Sequence, residues 1–252
     1  MADSEQANTQ TPTAWAIAKS LTIIGATLSL FQLYTAGMVA MTAMRHRSVF
    51  LTCILAMTFL IKPLYKGARK DRFNAALIVD LILIGIAISI GLYIFIDLQG
   101  IFERQGDWSP WDFRVGVALV LLVLEATRRV IGLNLTIISI MALLFGYFGP
   151  WMPELIVHKG YSLERIATTL SLTTEGIFGL PLGVASTFVF IFILFGAFLD
   201  KTGAGRFFID LSYSITGRFS GGPAKTAVVA SGFMGSVAGS AVANVVATGS
   251  FT

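Results

Sequence analysis

The sequence predicts an all-α, polytopic membrane protein with about six or seven transmembrane helices and a broken or re-entrant Gly/Ser-rich hairpin at its C-terminal end. Three observations carry that prediction. Uncharged runs of spanning length recur: Leu21 to Met44, Val130 to Met152, Gly176 to Leu199 and Thr226 to Thr252 contain no Asp, Glu, Lys or Arg. A bilayer core about 30 Å thick needs roughly 20 mostly apolar residues per helix, so each run suffices. The composition agrees, with 55% hydrophobic and only 13% charged residues and a mean hydropathy of +0.78, whereas soluble domains are about 25% charged. The last run has the hydropathy of a span but is studded with Gly and Ser, which sets it apart from the others.

In chain order, residues 1–16 read as a short polar tail without the basic n-region of a signal peptide, and the apolar run behind it is too long for a signal-peptide core. A first span is expected at about 20–44 and a second near 48–64, separated by Arg45-His46-Arg47. Lys62, Lys66, Arg69, Lys70 and Arg72 form the densest basic cluster. Cytoplasmic loops collect Lys and Arg, which places this loop and the N-terminus inside. Arg45 and Arg47 then fall outside, in conflict with the same rule but outnumbered. The net charge of +4 belongs to such loops and forms no long basic face, so nucleic acid is not an expected partner. The lone Cys53 lies mid-span and reads as packing.

A third span is expected at about 75–98, carrying Asp80 and Asp97. Asp80 lies about a turn and a half inside; intramembrane acids are candidate functional groups, but at that depth a carboxylate can also reach water. Gly106 to Asp112, with Trp108 and Trp111, reads as an interfacial loop, because Trp favours the headgroup level. The fourth span, about 112–131, ends in Glu125, Arg128 and Arg129. Glu125 and Arg129 are spaced i, i+4 and are expected to pair at the membrane surface with the arginines snorkelling. A fifth span at about 132–151 stops at Gly149-Pro150-Trp151-Met152-Pro153. Leu163, Ile166, Ala167, Leu170 and Ser171 recur at helical spacing, predicting a short amphipathic or re-entrant helix. A Phe-rich span at about 177–199 and a modest amphipathic segment over 207–215 follow. His46 and His158 are loop histidines without a partner at metal spacing, and no nucleophile elbow, phosphate loop or carboxylate pair supports a membrane enzyme.

Thr226 to Thr252 contains Gly232, Gly235, Gly239 and Gly249 with several Ser and Thr and one amide, Asn244. Small residues can serve helix packing in lipid. They also let a backbone leave the helix and turn hydroxyls and carbonyls toward a cavity, as in discontinuous transporter helices. Such neutral oxygen donors suit a weakly held monovalent cation better than Zn²⁺ or Mg²⁺.

Gly235-Ser236-Val237-Ala238-Gly239-Ser240-Ala241-Val242-Ala243-Asn244-Val245-Val246-Ala247-Thr248-Gly249-Ser250 closely resembles the first hairpin of the large permease subunit of tripartite ATP-independent periplasmic (TRAP) transporters. Gly221-Gly222-Pro223-Ala224-Lys225 matches the family's approach to that hairpin, and Phe195 to Gly205 is similar to the helix end before it. Leu124-Glu125-Ala126-Thr127-Arg128-Arg129-Val130-Ile131-Gly132 is similar to the junction in fused permeases, which usually serve TAXI-type receptors. The resemblance is specific over 195–252, and only architectural over 1–112.

It implies a small-subunit-like four-helix membrane domain at 17–131 and the beginning of a large-subunit-like transport domain at 132–252, in a multi-pass protein of the inner membrane. It further implies an elevator-type secondary transporter, coupled to a sodium (or proton) gradient, importing a small organic acid delivered by a periplasmic solute-binding receptor. Ser236, Gly239, Ser240, Asn244 and Thr248 would line the hairpin tip toward ion and solute, with Ser236, Ser240 and Asn244 as candidate Na⁺ ligands; no other cofactor is implied. An inverted-repeat transporter needs a second hairpin, and the sequence ends at Thr252, so a truncated or fragmentary permease is expected. The readings left beside this one are another Gly-rich carrier or channel and a non-transporting membrane scaffold.

Overall fold

The computed structural model describes residues 12–38, 41–65 and 75–237, and every regular element among them is helical. They divide into two compact units, 1–183 and 184–252. Four helices are long and apolar enough to cross a membrane: Pro12–Gly37, Ala43–Ile61, Ala75–Ile96 and Leu180–Leu199.

In the first unit, α1 (Pro12–Gly37), α2 (Ala43–Ile61), α3 (Ala75–Ile96) and α5 (Pro110–Val130) run up and down beside one another, with the short α4 (Leu98–Glu103) between the last two. α1 begins eight residues before the predicted span and takes in part of the predicted polar tail. Pro12 explains the early start, since its fixed φ suits a first helical position and its missing N–H has no partner to lose there. At 26 residues and about 1.5 Å each, α1 is about 39 Å long, more than a bilayer core requires.

The start of α5 also differs from the expected loop. Ser109 Oγ accepts from Trp111 N at 3.1 Å, Asp112 Oδ2 accepts from Ser109 N at 3.0 Å, and Pro110 takes the first turn. That reciprocal cap closes orphan donors of the first turn and draws Trp111 and Asp112 out of the predicted loop into the helix.

The second half of the unit holds α6 (Leu133–Tyr147), a 3-10 turn at Gly149–Trp151 and α7 (Leu163–Leu172). α6 has 15 residues, about 22 Å, and falls short of a full span. α7 is the predicted amphipathic helix, capped by Ser162 Oγ on Arg165 N at 3.2 Å. Its buried Ala167 and Ser171 pack on α5, where a Cβ at Gly116 would stand 2.7 Å from Ser171 Oγ and 3.1 Å from the Ala167 carbonyl. In lipid, helix association depends on such close van der Waals approach, because the surrounding chains are as apolar as Leu.

The core joins Phe59 of α2, Ile90 and Ile94 of α3, Ile101 of α4, Leu119 and Leu122 of α5, and Leu172 and Phe178 beyond them. The outer surface inverts the usual soluble pattern. On α3, Ile82 is 56% exposed while Asp80 is 1% exposed, the arrangement expected when the solvent is hydrocarbon.

From Leu180 the chain runs through α8 (Leu180–Val184), a π-helical turn at Ala185–Val189 and α9 (Phe190–Lys201). The second unit continues with α10 (Ala204–Thr216) and α11 (Gly222–Val237). Gly203, at φ 87°, makes the turn before α10 in a region that a Cβ disfavours. α6 and α7 belong to the first unit, together with α1 to α5.

Candidate functional site

α11 leads into the Gly/Ser-rich segment. Its buried face (Thr226, Ala227, Ala230, Met234) repeats at helical spacing and packs on α10. The two hydroxyls Thr216 Oγ1 and Thr226 Oγ1 meet at 2.7 Å in the buried seam. Each also lies within hydrogen-bond distance of a carbonyl of its own helix, Ser212 O at 2.7 Å and Gly222 O at 2.9 Å, so one hydroxyl donates across the seam while the other donates to its own helix. Phe208 stacks on Phe233 with centroids 5.9 Å apart. α11 is therefore held on one side by close packing while Val228 on the other is 74% exposed. At its last turn, Ser236 is exposed and its Oγ donates to Phe233 O at 2.7 Å. Ser236 thus stands one residue before the last described residue, with its hydroxyl oxygen still able to accept or coordinate. Gly239, Ser240, Asn244 and Thr248 lie outside the described residues.

Two ionic knots brace the first unit at opposite ends of the α2, α3 and α5 bundle. At the end nearer the basic loop, Arg129 Nη1 donates to Asp80 Oδ1 at 2.5 Å and its Nε to Glu125 Oε1 at 2.7 Å. The Arg129 side chain is 0% exposed, and its guanidinium lies over the Phe59 ring at 4.9 Å. Arg128 grips Glu125 through both carboxylate oxygens, at 2.7 and 2.8 Å. The two arginines also donate to carbonyls just past α2, Arg128 to Leu64 at 3.0 Å and Arg129 to Lys62 at 3.3 Å. The knot thus sums to zero formal charge, with Glu125, Arg128 and Arg129 from the last turns of α5 and Asp80 from α3.

This corrects the snorkelling expectation for Arg129, and the reason is geometric. Side chains lean toward the N-terminus of their helix. α5 starts at the tryptophan end, so Arg129 leans into the membrane rather than out of it. α3 runs the other way, so Asp80 leans toward Arg129. Asp80 is accordingly paired and buried rather than reaching water. The i, i+4 pairing of Glu125 with Arg129 is present as expected.

At the tryptophan end, Asp112 is fully buried and accepts from Tyr93 Oη at 2.6 Å and Arg104 Nε at 3.0 Å. Arg104 Nη2 also donates to Asp97 Oδ2 at 2.7 Å. Hydrogen bonds to Asp112 and then to Asp97 push the Arg104 pKa above its ordinary value, so it stays charged throughout. Arg47 Nη1 donates to the Phe178 carbonyl at 2.5 Å and to that of Gly179 at 3.2 Å, and Arg45 lies 5.8 Å from the Phe95 ring. Both arginines that sit awkwardly in the orientation rule are engaged inside the fold. Sequence reading missed the Arg47 contact, for which position in the chain offers no signal. His46 Nε2 meets Gln32 Oε1 at 2.6 Å. His158 is held between Phe145 O, at 3.1 Å from Nε2, and Gly160 N, which donates to Nδ1 at 3.1 Å.

A family model described as "Tripartite ATP-independent periplasmic transporter, DctM component" matches residues 118–252. No curated protein matches the chain. No solved structure matches it either.

Proposed function

The chain belongs to the tripartite ATP-independent periplasmic transporter family, as its DctM component, and from that premise we propose that it is the permease part of a fused, TAXI-type secondary transporter of the inner membrane. The family supplies components of a membrane transporter and not an enzyme. In the proposed reading, a periplasmic receptor delivers a small organic acid, and a sodium (or proton) gradient drives its import.

The observation that carries the reading is the family match over 118–252, which includes all of α10, α11 and the Gly/Ser-rich segment behind them. The physics of that segment is compatible. A helix packed on one face by Thr226, Ala230 and Met234 delivers Ser236, and in sequence Gly239, Ser240, Asn244 and Thr248, as neutral oxygen and amide groups. In transporters, broken-helix ends carrying such groups hold a cation through carbonyls and hydroxyls, and a carboxylate through N–H dipoles, without a buried formal charge. Ser236, Gly239, Ser240, Asn244 and Thr248 are the candidates facing ion and solute, with Ser236, Ser240 and Asn244 the candidate cation ligands.

The test is uptake by the permease reconstituted with its receptor in proteoliposomes, measured across a sodium series. Asn244→Ala and Ser240→Ala are expected to raise the sodium concentration for half-maximal uptake about tenfold each, the loss of roughly one 1.4 kcal/mol contact. Variants that fold in normal yield and keep the unmodified sodium dependence would refute the cation assignment.

A further inference from the structure

α5, α6 and α7 enclose an apolar cavity of about 490 Å³ whose lining is hydrocarbon throughout apart from Tyr147. Along α5 it extends from Phe113 to Leu124, eleven residues or about 16 Å of helix. Half of a bilayer core about 30 Å thick is about 15 Å. The groove therefore has the depth of one leaflet's acyl chain.

Its Phe113 end lies among aromatic side chains that mark the headgroup level: Tyr147 and Tyr161 are half-exposed, and Trp111 and Trp151 more so. There a second cavity of about 480 Å³ adjoins the first through the shared Leu143 and Ile166, and its polar lining is Tyr161, Arg165 and Thr169. Arg165 is exposed and lies 5.5 Å from the Tyr161 ring. Among the described residues, no carboxylate is within ion-pair distance of it, unlike Arg104, Arg128 and Arg129. A guanidinium of this kind matches a phosphate in geometry and charge.

We propose that this composite groove is a phospholipid site, in which Arg165, aided by Tyr161 and Thr169, holds the headgroup phosphate while one acyl chain lies along α5 between Phe113 and Leu124. The length match and the guanidinium of Arg165 at the polar end of the groove argue for lipid over a further helix, whose apolar face would offer Arg165 no anion. The site is built entirely from the first unit and stands apart from the transport assignment.

Native mass spectrometry of the full chain in detergent, titrated with phosphatidylglycerol, phosphatidylethanolamine or diacylglycerol, tests it. Arg165→Ala is expected to weaken binding of both phospholipids about tenfold and leave diacylglycerol unchanged. Val120→Trp, which fills the groove, is expected to weaken all three; Val117→Phe is the milder alternative if that variant unfolds, with thermal denaturation as the folding check. Unchanged phospholipid affinity in Arg165→Ala overturns the headgroup assignment. Unchanged affinity in a folded groove-filling variant overturns the chain assignment. Failure of the unmodified chain to bind either phospholipid, as when another part of the protein closes the groove, overturns the whole proposal.

Discussion

Replacing Arg129 by Met keeps most of its volume but removes the guanidinium between Asp80 and Glu125. Glu125 retains Arg128 at 2.7 and 2.8 Å and loses little. Asp80, 1% exposed, loses the guanidinium that donates to its Oδ1. Removing one partner of a buried pair costs about 3–5 kcal/mol. For a unit of this size each kcal/mol shifts the thermal transition by roughly 2–4 °C, so Arg129→Met is expected to lower it by about 6–20 °C. The sharper expectation concerns the second step. Asp80→Asn removes the buried negative charge that Arg129 balances, so Asp80→Asn/Arg129→Met is expected to be more stable than Arg129→Met by about 2 kcal/mol, or roughly 4–8 °C. Asp80→Asn alone costs less than Arg129→Met, because Arg129 keeps Glu125. Thermal unfolding of the four proteins in one detergent, followed by intrinsic fluorescence, gives the cycle. A double variant no more stable than Arg129→Met would show that the Asp80–Arg129 pair is not electrostatically coupled, and the account of the knot would fall.

Two further outcomes are expected. Arg47→Ala strands the Phe178 and Gly179 carbonyls, costing about 1.5–3 kcal/mol for a charged hydrogen bond, and Arg47→Lys recovers only part because an ammonium lacks the planar fork; cysteine-accessibility labelling at the buried Thr173 should rise in the order wild type, Lys, Ala. Gly116→Ala forces a Cβ against Ser171 Oγ and the Ala167 backbone, and is expected to cost about 1–3 kcal/mol, with Gly116→Ala/Ser171→Ala recovering part of the loss in the same thermal assay.

Much of the helical order was legible because hydrocarbon imposes a crude rule: long runs poor in charge are expected to cross, and α2, α3 and α8–α9, each long and apolar enough to do so, lie within a few residues of expectation. The ends were less legible. Pro12 and the Ser109–Asp112 cap shift helix starts through local hydrogen-bond geometry, which hydropathy does not register. The Glu125–Arg129 pair followed from helical spacing, but Asp80 lies 49 residues away, and a single sequence contains no statement of which helices touch. Its partner could still be narrowed by direction: an arginine near the C-terminus of a helix leaning inward, and an acid near the N-terminus of an antiparallel neighbour leaning toward it. Arg47 carried no such clue. The hairpin was recognisable from its glycines and hydroxyls, yet only Ser236 among its candidate ligands falls within the described residues.

The shared core has a consequence for how such a protein can be made. Phe59, Ile90 and Leu119 precede Gly132, whereas Leu172 and Phe178 follow it, and all five lie in one buried cluster; Arg47 adds a guanidinium from one side to carbonyls on the other. Packing across Ile131–Gly132 is therefore expected to hold the two sides together without the peptide link. Two polypeptides divided there, made in the same cell, are expected to find each other and copurify. Either one made alone would present an unfilled seat to the bilayer and to the cell's proteases.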